Sequence, residues 1–153
     1  MTIKMNKLTL VTLMCSPMAF AQIQNGDFEQ WNGNTPVNWT TIDSGISVAP
    51  SNVQIKTGGL SAHITINTGT QSNTDFLQTV SVEQGKTYPF SAAIYHTEGK
   101  VKARLIVDGY QNYSDPSKTN QWQDLTYTYT ATSSKDIQVG LRFYDVSGFD
   151  GSE

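Results

Sequence analysis

Cysteine and histidine are nearly absent from this sequence. The chain has one cysteine, Cys15, and two histidines, His63 and His96. One cysteine cannot form an internal disulfide, so stability must come from a hydrophobic core or a bound metal. His96 shares strand parity with Phe90 and Ile94, which indicates a hydrogen-bonded histidine at a strand end rather than a catalytic base. Nothing selects a nucleophile with its base or a pair of carboxylates, so the sequence favours binding over catalysis.

Long apolar runs are also lacking, with one exception at the N-terminus. Residues 8–20 are mostly apolar, follow two lysines, and lead into Ala-Phe-Ala at 19–21, a small-x-small cleavage site. This pattern predicts a secretory signal peptide over residues 1–21, too short to span a bilayer comfortably. Residues 22–153 are then expected to form one cysteine-free domain, secreted to the extracellular space or the periplasm.

An excess of positive charge is lacking as well. After removal of the leader, eight basic residues stand against 13 acidic ones, a net charge of about −5. This balance argues against a general nucleic-acid-binding surface. It still allows a local basic patch.

The sequence has no helical periodicity, and apolar and polar residues alternate instead. The segment 100–108 is the clearest case, because one face is apolar and the other carries Lys102 and Arg104. Many short strands with one apolar face each predict an all-β fold, a two-sheet antiparallel β-sandwich. The longest irregular segment, 109–121, is a candidate functional loop. Further strands are predicted at residues 53–56, 62–67, 76–82, 88–97, 122–131 and 136–144.

The segment Asn25–Trp31 combines a turn pair, two carboxylates and two aromatic residues. If it is extended, Asp27 and Glu29 point to one side and Phe28 to the other. Two carboxylates held together suit a hard cation such as calcium. The alternative is an edge strand with two solvated acids.

An ordered set of short motifs resembles carbohydrate-binding modules of the family 4/9/22 type, which are β-jelly rolls. The motifs are Asn25-Gly26-Asp27-Phe28-Glu29, Pro36, Trp39, Gly58-Gly59-Leu60-Ser61-Ala62, Gln84-Gly85-Lys86-Thr87-Tyr88 and Trp122. The resemblance implies a structural calcium held by Glu29, with Asp27 second to it and backbone from the turn at 58–61. It also implies that the last strand of the jelly roll, expected after 149–153, is lacking.

Finer motifs are similar to the N-terminal module of secreted bacterial endonucleases of the endonuclease I type. They are Tyr95-His96-Thr97-Glu98-Gly99, Lys102-Ala103-Arg104, Asp108-Gly109-Tyr110 and 140–146. This resemblance implies a non-catalytic accessory module that precedes a nuclease domain in the parent chain. The alternatives are a glycan-binding module of a secreted glycoside hydrolase and a purely structural spacer.

Five aromatic residues are candidate platforms for sugar rings. They are Tyr95, Tyr110, Tyr113, Trp122 and Tyr144. Tyr110 and Tyr113 lie in the predicted loop, where a large aromatic side chain needs a reason to be. The alternative is that these rings pack over the end of the sandwich. Trp31 and Trp39 are expected to anchor the core or its rim.

Three basic residues are candidates for a second kind of ligand. Lys102 and Arg104 project from one predicted strand, and Arg142 projects with Tyr144 from another. If the two strands lie in one sheet, these residues form a basic patch for nucleic acid or an acidic polysaccharide. The alternative is a solvated sheet face.

Overall fold

The computed structural model describes residues 23–69 and 72–146. The predicted signal peptide and the segment 149–153 lie outside these residues. The described part contains eleven strands, and no helix in it is long and apolar enough to cross a membrane. The strands are β1 (Trp31–Asn32), β2 (Thr35–Pro36), β3 (Thr41–Ile42), β4 (Ile46–Ser51), β5 (Ser61–Ile66), β6 (Asp75–Val82), β7 (Thr87–Tyr95), β8 (Val101–Val107), β9 (Tyr110–Tyr113), β10 (Trp122–Thr130) and β11 (Lys135–Asp145).

One layer of the fold is a five-stranded sheet in the order β3-β6-β11-β8-β9. All its pairings are antiparallel. In the pairing of β11 with β8, Arg142 lies opposite Arg104 and Tyr144 opposite Lys102. The two strands are therefore neighbours in one sheet, as a shared basic face requires.

The second layer consists of two antiparallel pairs, β4-β5 and β7-β10. Apolar residues at alternate positions of both layers meet in the core, and the prediction of an all-β sandwich is confirmed. Ala103, Val107 and Val139 are almost completely buried there. Their burial follows from the period-two pattern of β8 and β11.

The segment from Asn25 to Glu29 is not an extended strand, so this prediction is wrong. Asn25 and Phe28 both have positive φ angles, 50° and 58°, and the Phe28 amide donates to the Asn25 carbonyl. A turn of this kind lets the Phe28 ring lie 5.0 Å from Trp39 and 5.9 Å from Phe76. Trp39 is buried and stacks on Phe76 at 4.2 Å, which confirms it as a core anchor.

Two other local predictions differ from the structure, and one strand was not predicted. Residues 53–56 form bends rather than a strand, and Val53 is largely exposed. The segment 109–121 contains β9, which pairs with β8 across an irregular register. The strand β4 was not predicted, because Pro50 interrupts its alternation and proline is unusual inside strands.

The second layer is open between β5 and β7. Among the described residues, β5 pairs only with β4 and β7 only with β10. A cavity of about 530 Å³ separates them, and it reaches down to Leu141 and Phe143 of the five-stranded sheet. Ile64 and Ile94 line the cavity and are only half-buried. Two sheet edges thus face each other across an apolar groove.

Candidate functional site

The outer face of the five-stranded sheet gathers six of the predicted ligand-binding residues. Alternation along β8 and β11 buries one set of side chains and turns the other set outward. Strand β9 adds two tyrosines, which are among the most exposed large side chains in the described part, Tyr110 at 51% and Tyr113 at 40%. We call this surface the tyrosine face, and its members are Lys102, Arg104, Tyr110, Tyr113, Arg142 and Tyr144.

Tyr113 is the centre of a group of stacked rings and cations. The Lys102 ammonium lies 4.5 Å and the Arg104 guanidinium 4.6 Å from the Tyr113 ring centre. The Tyr144 ring meets Tyr113 edge to face at 5.5 Å. Each cation over a ring contributes roughly 0.5–1 kcal/mol at an exposed site. These contacts hold flexible side chains in place before any ligand arrives.

Arg142 joins the tyrosine face to an acid that sequence reasoning missed. Its Nη2 donates to Asp75 Oδ2 at 2.8 Å, its Nε donates to Asp75 Oδ1, and its Nη1 donates to the Tyr110 hydroxyl. The hydrogen bonds that Arg142 donates to Asp75 raise the pKa of Arg142 above its ordinary value. The fork-shaped pair fixes the guanidinium plane beside the Tyr110 ring, whose centre is 5.5 Å away.

A groove of about 300 Å³ runs beside Tyr110 on the same face. Its apolar lining includes Ile137, Leu77 and Ile106, and the last two flank Gly140 in the register of β6, β11 and β8. Both residues belong to apolar runs that break the alternation, Phe76-Leu77 and 105–107. That break was the one signal in the sequence that could have located the groove. Its polar lining is Asp75, Asp108, Asp136 and Gln138.

Asp108 closes one end of the groove as part of a small polar network. Its carboxylate accepts hydrogen bonds from Lys135 at 2.6 Å and from the Tyr129 hydroxyl at 2.8 Å. The Lys135 bond is the main cause of a lowered pKa at Asp108, and the same bond raises the pKa of Lys135. Asp108 thus presents its carboxylate at the end of the groove in contact with Lys135 and Tyr129.

Two predicted ligand residues lie elsewhere. Tyr95 and Trp122 are opposite each other in the β7-β10 pair, with ring centres 5.4 Å apart and edge to face. This pair belongs to the second layer and lines the groove between β5 and β7. The structure thus brings six of the eight predicted ligand residues together and places these two apart.

The turn at 58–61 contacts Glu29, as the sequence suggested, but the contacts are hydrogen bonds from backbone amide donors. One oxygen of its carboxylate accepts hydrogen bonds from the amides of Gly59 at 2.7 Å and Leu60 at 3.0 Å. These bonds, Leu60 first, lower the pKa of Glu29. Two amides at one oxygen compete with a cation, and no group of three acidic, histidine or cysteine ligands exists within residues 23–69 and 72–146. Calcium at Glu29 therefore stays a prediction from the sequence.

His96 has a structural position. It is buried, its Nε2 lies 2.9 Å from the Ser114 hydroxyl, and that hydroxyl also accepts the Ala103 amide. The prediction of a hydrogen-bonded histidine at a strand end is confirmed. Ser114 is itself buried and accepts a backbone bond, so this pair is not arranged as an exposed nucleophile with its base.

Two solved structures and one protein family are similar to this chain. The chain is 17% identical, with a TM-score of 0.49, to the C-terminal family 22 carbohydrate binding module of Clostridium thermocellum Xyn10B, covering 81% of this chain and 87% of that one. It is 20% identical, with a TM-score of 0.43, to a xylan-binding domain of family 22, covering 72% and 80%. No curated protein matches. A family described as carbohydrate binding domain, of the 4/9 type, matches residues 21–145. Because this match covers most of the chain, the protein belongs to that carbohydrate binding domain family.

Proposed function

We propose that this protein is a non-catalytic glycan-binding module and that the tyrosine face, with the groove beside it, holds a polysaccharide. The observation that carries the proposal is the position of Tyr110. Its exposed ring stands at the rim of a groove that has an apolar floor and carboxylate or amide acceptors on its walls. Sugar rings present apolar CH faces and hydroxyl edges, and this lining offers a partner for each.

Family membership favours this function over an accessory role to a nuclease, which the sequence also suggested. Nothing in the comparisons points to a nuclease domain or to nucleic acid as a partner. The sequence also allowed a glycan-binding module of a secreted glycoside hydrolase, and this alternative is consistent with both the family match and the groove. Secretion through the leader at 1–21, and calcium at Glu29, remain parts of the proposal that rest on the sequence.

The test is affinity electrophoresis and calorimetry with a panel of soluble plant and bacterial polysaccharides. Tyr110→Ala and Tyr113→Ala are expected to weaken binding at least about tenfold, which corresponds to about 1.4 kcal/mol. Tyr95→Ala is the matched control, because it removes a tyrosine from the second layer. Retained binding in the two tyrosine-face variants, with loss in Tyr95→Ala, would move the site to the second layer. Absence of binding across the panel would refute the function.

A further inference from the structure

Charge is distributed unevenly over the tyrosine face. Arg142 is neutralised by Asp75 and Lys135 by Asp108. Lys102 and Arg104 have no acidic partner among the described residues; their contacts are with tyrosine rings and, for Arg104, the Gln111 carbonyl. One end of the face therefore carries two uncompensated positive charges on a protein whose overall charge is negative.

The two cations are held ready for an anion. The Gln111 carbonyl accepts from Arg104 Nε at 2.9 Å, and the terminal guanidinium nitrogens make no other hydrogen bond within the described chain. The Tyr113 ring lies within about 4.6 Å of both charged groups, 4.5 Å from Lys102 Nζ and 4.6 Å from Arg104 Cζ. A planar guanidinium whose forked donors are free matches a carboxylate, and ring stacking reduces the entropy lost on binding.

The other end of the same face limits what the anion can belong to. The groove beside Tyr110 is lined by three carboxylates, those of Asp75, Asp108 and Asp136. Asp75 and Asp108 are ion-paired, so a polymer with a charge on every unit, such as a nucleic acid, would find no uncompensated cation for its phosphates in this groove and would meet the Asp136 carboxylate. A polysaccharide with occasional charges can place neutral sugars in the groove and one anionic group over Tyr113.

We propose that Lys102 and Arg104 form an anion subsite on the tyrosine face, and that the bound glycan carries a sugar carboxylate, as uronic acids do. This inference rests on the proposed glycan-binding function and adds the substrate class. The subsite selects charged units beside Tyr113, while the groove beside Tyr110 binds the neutral units next to them.

The experiment compares a polysaccharide that bears glucuronic acid with the same polymer after chemical reduction of its carboxyl groups. The native polymer is expected to bind at least about fivefold more tightly at 50 mM salt. The difference should shrink as salt is raised toward 1 M, where the Debye length falls to about 3 Å. The double variant Lys102→Gln/Arg104→Gln should lose this preference and bind the native and the reduced polymer equally.

Lys86→Gln is the matched control, because it removes a lysine from an exposed turn outside the tyrosine face. Equal binding of both polymers, unchanged by the double variant, would overturn the anion subsite and leave the glycan-binding function standing. Failure to bind either polymer, or any neutral glycan, would overturn both proposals. Tighter binding of a single-stranded oligonucleotide or a sulfated glycan than of the uronate polymer would overturn the carboxylate assignment. The single variant Lys102→Gln, with a circular dichroism spectrum unchanged from that of the parent, guards against loss of binding through misfolding.

Discussion

Replacing Gly140 by alanine tests the close packing of the sheet beneath the tyrosine face. Gly140 has a φ of +145° and lies between Leu77 and Ile106 in the register of its neighbours. A Cβ at this position would lie 2.2 Å from the Phe76 carbonyl oxygen and 3.0 Å from the Leu77 Cα. Both are backbone atoms of β6, so the clash cannot be relieved by turning a side chain.

The expected loss of unfolding free energy has two parts, and a matching variant at a second glycine distinguishes them. A residue other than glycine in this backbone region costs about 1–3 kcal/mol, and overpacking in a dense interior adds about 1–3 kcal/mol. Gly109 has a similar φ of +138°, but an added Cβ there meets no atom within 4 Å. Gly109→Ala should therefore show the first cost alone, and Gly140→Ala should show both.

Urea unfolding followed by tyrosine and tryptophan fluorescence gives the two free energies of unfolding. Gly140→Ala is expected to lose about 2–6 kcal/mol, roughly twice the loss in Gly109→Ala. An m-value shared with the parent protein would show that the folded and unfolded states are otherwise comparable. Equal losses in the two variants would refute the claim that β6 and β11 approach too closely for a side chain.

Three further predictions concern single contacts. Asp75→Asn should lower the free energy of unfolding by about 1–2 kcal/mol in urea titrations, because its ion pair with Arg142 is only partly exposed. The same change should strengthen uronate binding, because it releases Arg142, and weaker uronate binding would contradict this. Glu29→Gln should lower the melting temperature at neutral pH, because two backbone amides stabilise the carboxylate and depress its pKa. The difference from the parent should begin to shrink as pH falls below the ordinary value of 4.5 and disappear once pH is below the lowered pKa of folded Glu29; a difference constant with pH in thermal melts would argue against it. A strand of alternating valine and threonine, joined by a flexible linker after Glu153, should enter the groove between β5 and β7 and raise the melting temperature, whether or not calcium is added. The control is the same linked strand with two prolines, and equal melting temperatures for the two proteins would count against the open groove.

The apolar pattern predicted the fold well where one face of a strand is uniformly buried. Along β8, Val101, Ala103, Leu105 and Val107 are all buried, as alternation required. Burial sets the parity of a strand, because a shift by one residue would expose the whole apolar set. The outward direction of Lys102 and Arg104 was therefore predictable from sequence.

Strand order and turns were less accessible to sequence reasoning. Whether β8 pairs with β11 could not be predicted, because alternation within a strand does not identify the strand beside it in the sheet. For the same reason the partner of Arg142 was missed: Asp75 lies opposite it only through the pairing of β6 with β11. The error at Asn25–Glu29 has another cause, since the positive φ of Phe28 goes against the preference of large side chains.

The open groove and the tyrosine face lie on opposite layers of the sandwich, so they face opposite sides of the molecule. A tether, surface or fusion partner attached near β5 or β7 would leave the tyrosine face pointing away from the point of attachment. Coupling through an engineered cysteine at the exposed Val53, which lies in the bends before β5, should therefore give immobilised protein with uniform orientation and full capacity for glycan.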